Sequence, residues 1–185
     1  MNSILKNKKA LSTVVTTLII LVVSVLLATV VTFYAINVTT TRMESEDLKV
    51  TKHHLWSNST MAQAAFVLTN VGGRDVLLDK ITVRDQEEPW SDVYYWKGTA
   101  PTHDLNFSNT ALTGATLNIT IEGAAKTFTQ ATDDIAVESG TTLVVYIESP
   151  DSIGVSDIGV TTRITVYSAN AMYSKEANVE FISLP

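Results

Sequence analysis

The chain begins with a long apolar segment that carries no charge. No charged residue occurs between Ala10 and Thr41, and 21 of the 29 residues from Ala10 to Val38 are apolar. As a helix, this segment would span roughly 43 Å at ~1.5 Å per residue, more than the ~30 Å hydrocarbon core of a bilayer. Apolar side chains would lie on every side of that helix, so the pattern predicts a helix in lipid or among other apolar helices.

After Met43 the apolar residues recur with a period of two, which is typical of half-buried strands. The predicted strands are 48–56, 63–70, 76–84, 117–122, 143–148, 163–167 and 177–182. We expect Gly72-Gly73 to form a hairpin turn between the second and third of these strands. Seven or more short strands separated by turns predict an all-β antiparallel sandwich. The fold class expected for the whole chain is therefore α+β, a long hydrophobic N-terminal helix followed by a β-sandwich head.

Charge is distributed unevenly along the chain. The whole sequence has 13 basic and 19 acidic residues, a net charge of −6, which argues against a nucleic-acid partner. From Glu44 onward there are nine basic and 19 acidic residues, a net charge of −10. Lys6, Lys8 and Lys9 precede the apolar segment, so we expect the N-terminus to be cytoplasmic and the acidic part to face outward. The absence of Cys excludes disulfides, zinc–thiolate sites and a Cys nucleophile.

The apolar segment allows two interpretations once a cleaved secretory signal is set aside. A secretory signal has an apolar region of roughly 7–15 residues and a small-x-small cleavage site, and this segment is too long. One interpretation is a permanent single-pass anchor. The other is a leader that is cut before the apolar run, so that the run stays on the mature protein.

The residues around Ala10 favour the second interpretation. The run Lys8-Lys9-Ala10-Leu11-Ser12 resembles the processing site of archaeal type IV pilin-like proteins and archaellins. This resemblance implies a class III (prepilin) leader over 1–10, cut between Ala10 and Leu11 by a membrane aspartyl prepilin peptidase. It implies a transmembrane or filament-core helix over 11–42 and an extracellular domain over 43–185.

Two further comparisons refine the resemblance. The stretch 68–76, followed by Asp79-Lys80-Ile81, resembles the first hairpin of the immunoglobulin-like head of archaellins and archaeal pilins. The chain departs from bacterial pilins because Val15, not Glu, stands at the fifth mature position. It departs from archaellins because no Gly occurs before Gly72, and this favours a pilin.

The resemblance implies a structural subunit of an archaeal type IV pilus-like surface filament, polymerising through its helix and serving adhesion. The implied partners are other copies of the chain in a helical homopolymer, the prepilin peptidase, a pilus assembly ATPase, a membrane platform protein and the membrane before assembly. No cofactor is expected. The alternatives are an archaellin-type motility subunit and a monomeric membrane-anchored binding domain. No catalytic motif such as G-x-S-x-G, a Walker loop or H-E-x-x-H occurs, so we expect no enzyme activity.

Several polar residues of the outer part are candidates for modification or binding. Four sequons provide possible N-glycosylation sites, at Asn37, Asn58, Asn106 and Asn118. We expect His53, His54 and His103 to be surface or packing residues, since neighbours on a strand face opposite sides. No metal site is expected.

One acidic segment leaves its role open. Asp85, Glu87, Glu88 and Asp92 place four carboxylates on a predicted loop, which is either solvated or able to bind Ca²⁺. The nearby rings of Trp90, Tyr94, Tyr95 and Trp96 could form a subunit contact, a sugar-binding face or part of the core.

Overall fold

The computed structural model describes residues 8–43 and 45–182. The chain divides into two compact units at the boundary between Met43 and Glu44. The first unit is a single helix, α1, over Lys8–Met43. Many of its residues are β-branched, which favours strands in water. Seven hydroxyl groups of α1 donate to carbonyls three or four residues back, so these polar groups are satisfied inside the helix.

The second unit, the head, is a mixed sheet of 11 strands in the described part of the chain. The strands are β1 (Leu48–Ser57), β2 (Ala62–Asn70), β3 (Val76–Val83), β4 (Gln86–Glu87), β5 (Val93–Gly98), β6 (Thr116–Ile121), β7 (Ala124–Gln130), β8 (Ile135–Val137), β9 (Thr142–Glu148), β10 (Thr161–Ser168) and β11 (Met172–Phe181). Their order is β4-β3-β10-β11-β1-β2-β9-β5-β7-β6, with β8 on β3. The predicted arrangement, one apolar helix followed by a β-domain, is confirmed.

The sheet is not wholly antiparallel, and in this respect the prediction is wrong. Residues 55–57 of β1 pair in parallel with 179–181 of β11, whereas every other strand pair described is antiparallel. Parallel neighbours need a long connection between them. Here that connection is the rest of the head, since β1 is its first strand and β11 its last. The earlier part of β11 pairs instead with β10.

The predicted hairpin at Gly72-Gly73 is also wrong. β2 pairs with β1 and β9, whereas β3 pairs with β10, β4 and β8, so the segment between β2 and β3 is a crossover. The glycines allow a close approach of the chain just before β1. A Cβ atom on Gly72 would lie 2.5 Å from the Ser45 carbonyl oxygen and 2.7 Å from the Asp47 nitrogen. The amides of Gly72 and Gly73 donate to the carbonyls of Asp47 and Ser45.

Two hydrophobic cores lie on opposite faces of the central strands. On β2, Ala64, Phe66 and Leu68 belong to the first core, which also takes residues from β3, β10 and β11. The alternate residues Ala65 and Val67 belong to the second core. This second core is completed by the β6–β7 hairpin and by residues 99–115, which contain no strand and which we call the strap. The central strands are therefore buried on both faces.

Candidate functional site

The helix α1 is the most unusual surface of the molecule. Every side chain from Leu11 to Thr41 is exposed. This 31-residue stretch has a mean hydropathy of 2.9 over its most apolar window, and it is long and apolar enough to cross a membrane. At ~1.5–3 kcal/mol for each large apolar side chain, leaving such a surface in water would cost tens of kcal/mol. The helix therefore requires an apolar environment.

Seven hydroxyl groups of α1 have hydrogen-bond partners within the helix itself. Thr29 and Thr32 each donate at 2.8 Å to the carbonyls of Val25 and Ala28, one turn back. The same arrangement repeats towards both ends of the helix. Because these hydroxyls are bonded within the helix, they add little polarity to its surface. Such a surface suits both lipid and close contact with other helices.

The predicted processing site lies at the start of this helix. Since α1 begins at Lys8, the Ala10–Leu11 bond lies inside the first helical turn, and Leu11 is 70% exposed. The side chains of Lys8, Lys9 and Ala10 and the leader residues 1–7, with Lys6, lie outside the described residues. Cleavage at the predicted bond would leave Leu11 as the first residue of an intact helix.

The four sequons lie in different surroundings. Asn118 is exposed on β6, and its Oδ1 accepts a hydrogen bond from Thr127 Oγ1 at 3.0 Å, so its amide nitrogen is left without a protein partner. Asn106 is exposed on the strap. Asn58 is only 9% exposed, and its Oδ1 accepts three hydrogen bonds, two from Thr60 and one from Met61. Asn37 lies on the exposed surface of α1.

Glu88 departs most from its predicted environment. Asp85 and Glu87 are exposed, as a solvated loop requires, whereas Glu88 is only 4% exposed. Its Oε1 is buried and has no hydrogen-bond partner. Burial, followed by the charges of Asp151 and Asp92, raises the pKa of Glu88 to about 7. The carboxyl group of Glu88 therefore keeps its proton up to near neutral pH.

The acidic segment does not form a metal centre in the described part of the chain. No group of three or more His, Cys, Asp or Glu side chains within residues 8–43 and 45–182 is arranged to hold a metal ion. Glu148 lies in the same region, and burial followed by the charge of Asp92 raises its pKa. These carboxyl groups thus interact mainly by mutual repulsion.

Three of the four neighbouring aromatic residues belong to a strand, and Trp90 lies in the short 3-10 turn just before it. Tyr94, Tyr95 and Trp96 lie on β5, between β9 and β7. Tyr94 is 1% exposed in the second core, and Trp96 packs against that core. Tyr95 and Trp90 pack against the first core. Of the roles left open for these rings, core packing is the one observed.

His54 and His103 contact carboxylate groups of the head near the strap. His54 Nε2 lies 2.9 Å from Asp104 Oδ1, and His54 Nδ1 lies 3.2 Å from Glu180 Oε1. His103 Nδ1 lies 3.3 Å from Glu122 Oε1. The β-bulge between Thr51 and His54 accompanies this arrangement. Periodicity could not reveal these contacts, because they join residues 19, about 50 and 126 positions apart.

Comparison with known proteins adds no assignment. No family model matches the chain, and no curated protein matches it at a significant level.

Proposed function

We propose that this protein is a structural subunit of an archaeal type IV pilus-like filament, with a role in adhesion. The observation that carries the proposal is the helix α1, whose side chains over Leu11–Thr41 are all exposed and all uncharged. The motif Lys9-Ala10-Leu11 at the start of this helix supports leader removal. Together they favour a helix that first lies in the membrane and later joins other helices.

The proposed mechanism is an exchange of one apolar environment for another. Before assembly the helix lies in the bilayer, with the N-terminus cytoplasmic and the head outside. After prepilin peptidase removes the leader, an assembly ATPase and a membrane platform protein drive the helix into a bundle of other copies. Contacts between unlike surfaces of successive copies do not close, so they generate a helical fibre.

The head would then form the outer layer of the filament. From Glu44 onward the chain has a net charge of −10, which suits a solvated outer surface. We assign to it an immunoglobulin-like sandwich. In support, the first core combines residues of β1, β2 and β9 with residues of β3, β10 and β11. Such a core is what two sheets packed face to face would share.

The test is the N-terminus of the protein in two fractions, native membranes and sheared surface material, by intact mass and peptide mapping. We expect the sheared fraction to begin at Leu11 and to retain α1. A protein that begins at Met1 and occurs only in membranes would be a monomeric anchored domain, and the filament proposal would fall. Deletion strains scored for surface attachment and for swimming would separate a pilin from an archaellin.

A charge reversal tests the processing step itself. Lys9→Glu places an acid next to the predicted cleavage bond, and we expect unprocessed protein and no filaments. Lys6→Glu makes the same charge change farther from the bond and serves as the matched control. Normal processing of the Lys9→Glu protein would contradict the assigned site.

A further inference from the structure

The strap, residues 99–115, covers the second core without belonging to the sheet. Its own Leu105 and Leu112 are only 3% and 2% exposed, and its Phe107 packs edge-on against Trp56 at a centroid distance of 6.2 Å. Its second half is held by neutral hydrogen bonds. The Ser108 amide donates to Gln63 Oε1 at 2.8 Å, and the Tyr146 hydroxyl donates to the Asn106 carbonyl at 2.9 Å.

The first half of the strap is held by charged side chains. Lys52 donates to the carbonyls of Pro101 and His103. Glu122, at the tip of the β6–β7 hairpin, accepts from the amides of Thr102 and His103. A further attachment is the pair His54–Asp104, which, like the contacts of Lys52, joins β1 to the strap.

His54 is placed so that its two ring nitrogens face two different elements. Nε2 lies 2.9 Å from Asp104 on the strap, and Nδ1 lies 3.2 Å from Glu180 on β11. The ring is stacked on Trp56 at a centroid distance of 5.1 Å and an angle of 5°, which fixes its plane. A neutral imidazole has one N–H, whereas the protonated ring has two. Only protonated His54 can donate to both carboxylates at once.

We propose that the proton on His54 fastens the strap to β1 and β11, and that the strap opens more readily once His54 loses it. In the neutral ring, one nitrogen carries a lone pair in place of a proton. That lone pair then faces the carboxylate oxygen of Asp104 or of Glu180, so one of the two contacts becomes repulsive. The hydrogen bond from His54 is the first cause that lowers the pKa of Asp104, so this contact favours the ionised carboxylate that accepts the bond. An open strap would uncover the apolar face around Trp56 and Tyr146.

The other charged groups around His54 do not share this role. Lys52 contacts the strap through the carbonyls of Pro101 and His103, and not through a carboxylate that His54 shares. His53, on the same strand, interacts through Nε2 with the Glu176 carbonyl at 2.8 Å, and its buried Nδ1 has no partner. His103 pairs with Glu122, but its side chain is 85% exposed, so this pair contributes little.

Hydrogen exchange of the full chain in detergent micelles tests the proposal. Strap peptides are followed by mass spectrometry at about pH 5.5 and about pH 8.5, on either side of the usual histidine titration, with rates corrected for intrinsic exchange. We expect the open fraction of the strap to rise about tenfold at the higher pH, as loss of one charge-assisted hydrogen bond implies. Peptides from β2 and β9 report global opening and are subtracted.

Three variants make the test specific. His54→Gln and Asp104→Asn are expected to show the high-pH level of strap opening at both pH values. His103→Gln removes the histidine that lies on the strap itself and is expected to keep the wild-type pH dependence. Equal strap protection at both pH values in the wild type would overturn the proposal. So would an unchanged pH dependence in His54→Gln or its loss in His103→Gln.

Discussion

Replacing Glu88 by Gln is expected to stabilise the head at and above neutral pH. Its carboxyl group is buried, Oε1 has no hydrogen-bond partner, and its pKa is about 7, against an ordinary value of 4.5. Between these two values the folded protein holds a proton that the unfolded chain has lost. Stability therefore falls as the pH rises through this window and stays lower above it. Gln keeps the shape of the protonated acid and never ionises.

The magnitude follows from the displaced pKa. A tenfold change in proton affinity corresponds to about 1.4 kcal/mol, so the displacement from 4.5 to about 7 corresponds to at most about 3.5 kcal/mol. Relaxation around the charged group and entry of water reduce this value, and we expect Glu88→Gln to gain about 1–3 kcal/mol at about pH 8. At about pH 4 the two proteins should be equally stable, because Glu88 is then protonated in both states.

Urea unfolding of the full chain in mild detergent, followed by tryptophan fluorescence, measures this effect. The three tryptophans are Trp56, Trp90 and Trp96, all in the head, so the signal does not report on α1. Glu87→Gln is the matched control. Glu87 is exposed, and its contact with Lys80, at 3.9 Å, is a surface pair that contributes little to stability. The reasoning is refuted if Glu88→Gln is less stable at about pH 8, or if its advantage is the same at about pH 4.

Three further predictions concern single side chains. Asn70 is fully buried, and its side-chain amide donates to the carbonyls of Arg74 and Val137 at 2.8 and 3.0 Å. Asn70→Ala should therefore lower the free energy of unfolding by about 2–3 kcal/mol in the same assay. Asn109 is exposed, and Asn109→Ala should change it by almost nothing. Tyr146→Phe loses the hydrogen bond to the strap and should cost about 1 kcal/mol, with faster exchange confined to strap peptides. Peptide mapping of protein from native cells should find a glycan on Asn118 before Asn58, because the Asn58 side chain is buried in its own turn, and a modified Asn58 beside an unmodified Asn118 would contradict this ranking.

The sequence predicted the positions of the helix and the strands better than it predicted which segments pack or pair with one another. The helix α1 is unmistakable because its apolar residues are continuous, and β6 is clear because Leu117, Ile119 and Ile121 are buried while the residues between them are exposed. On β9 the alternation predicted one solvated face, yet Val144 and Tyr146 are buried as well. The apolar character of those alternate residues was the available signal, since a face that stays in water rarely carries them.

The remaining differences depend on contacts between distant parts of the chain. Nothing local indicates that β1 meets β11, or that Gly72 is required where residues 45–47 pass close by. The charge of Asp151, which helps to raise the pKa of Glu88, comes from a segment more than 60 residues later. Local patterns report how a segment would bury its own side chains, whereas these features depend on which segment arrives to cover it.

The parallel pairing of β1 with β11 has a mechanical consequence. A pull transmitted along the chain into the head would arrive at β1, which is held by β2 on one side and, over residues 55–57, by β11 on the other. Because ladder hydrogen bonds run across the strands, such a pull loads them in shear, and several must break together before β1 slides. Peeling from a free edge would break them one at a time at lower force. Because its first strand pairs with its last, the head should resist a pull on its N-terminal end more strongly than a domain whose first strand lies at a free edge.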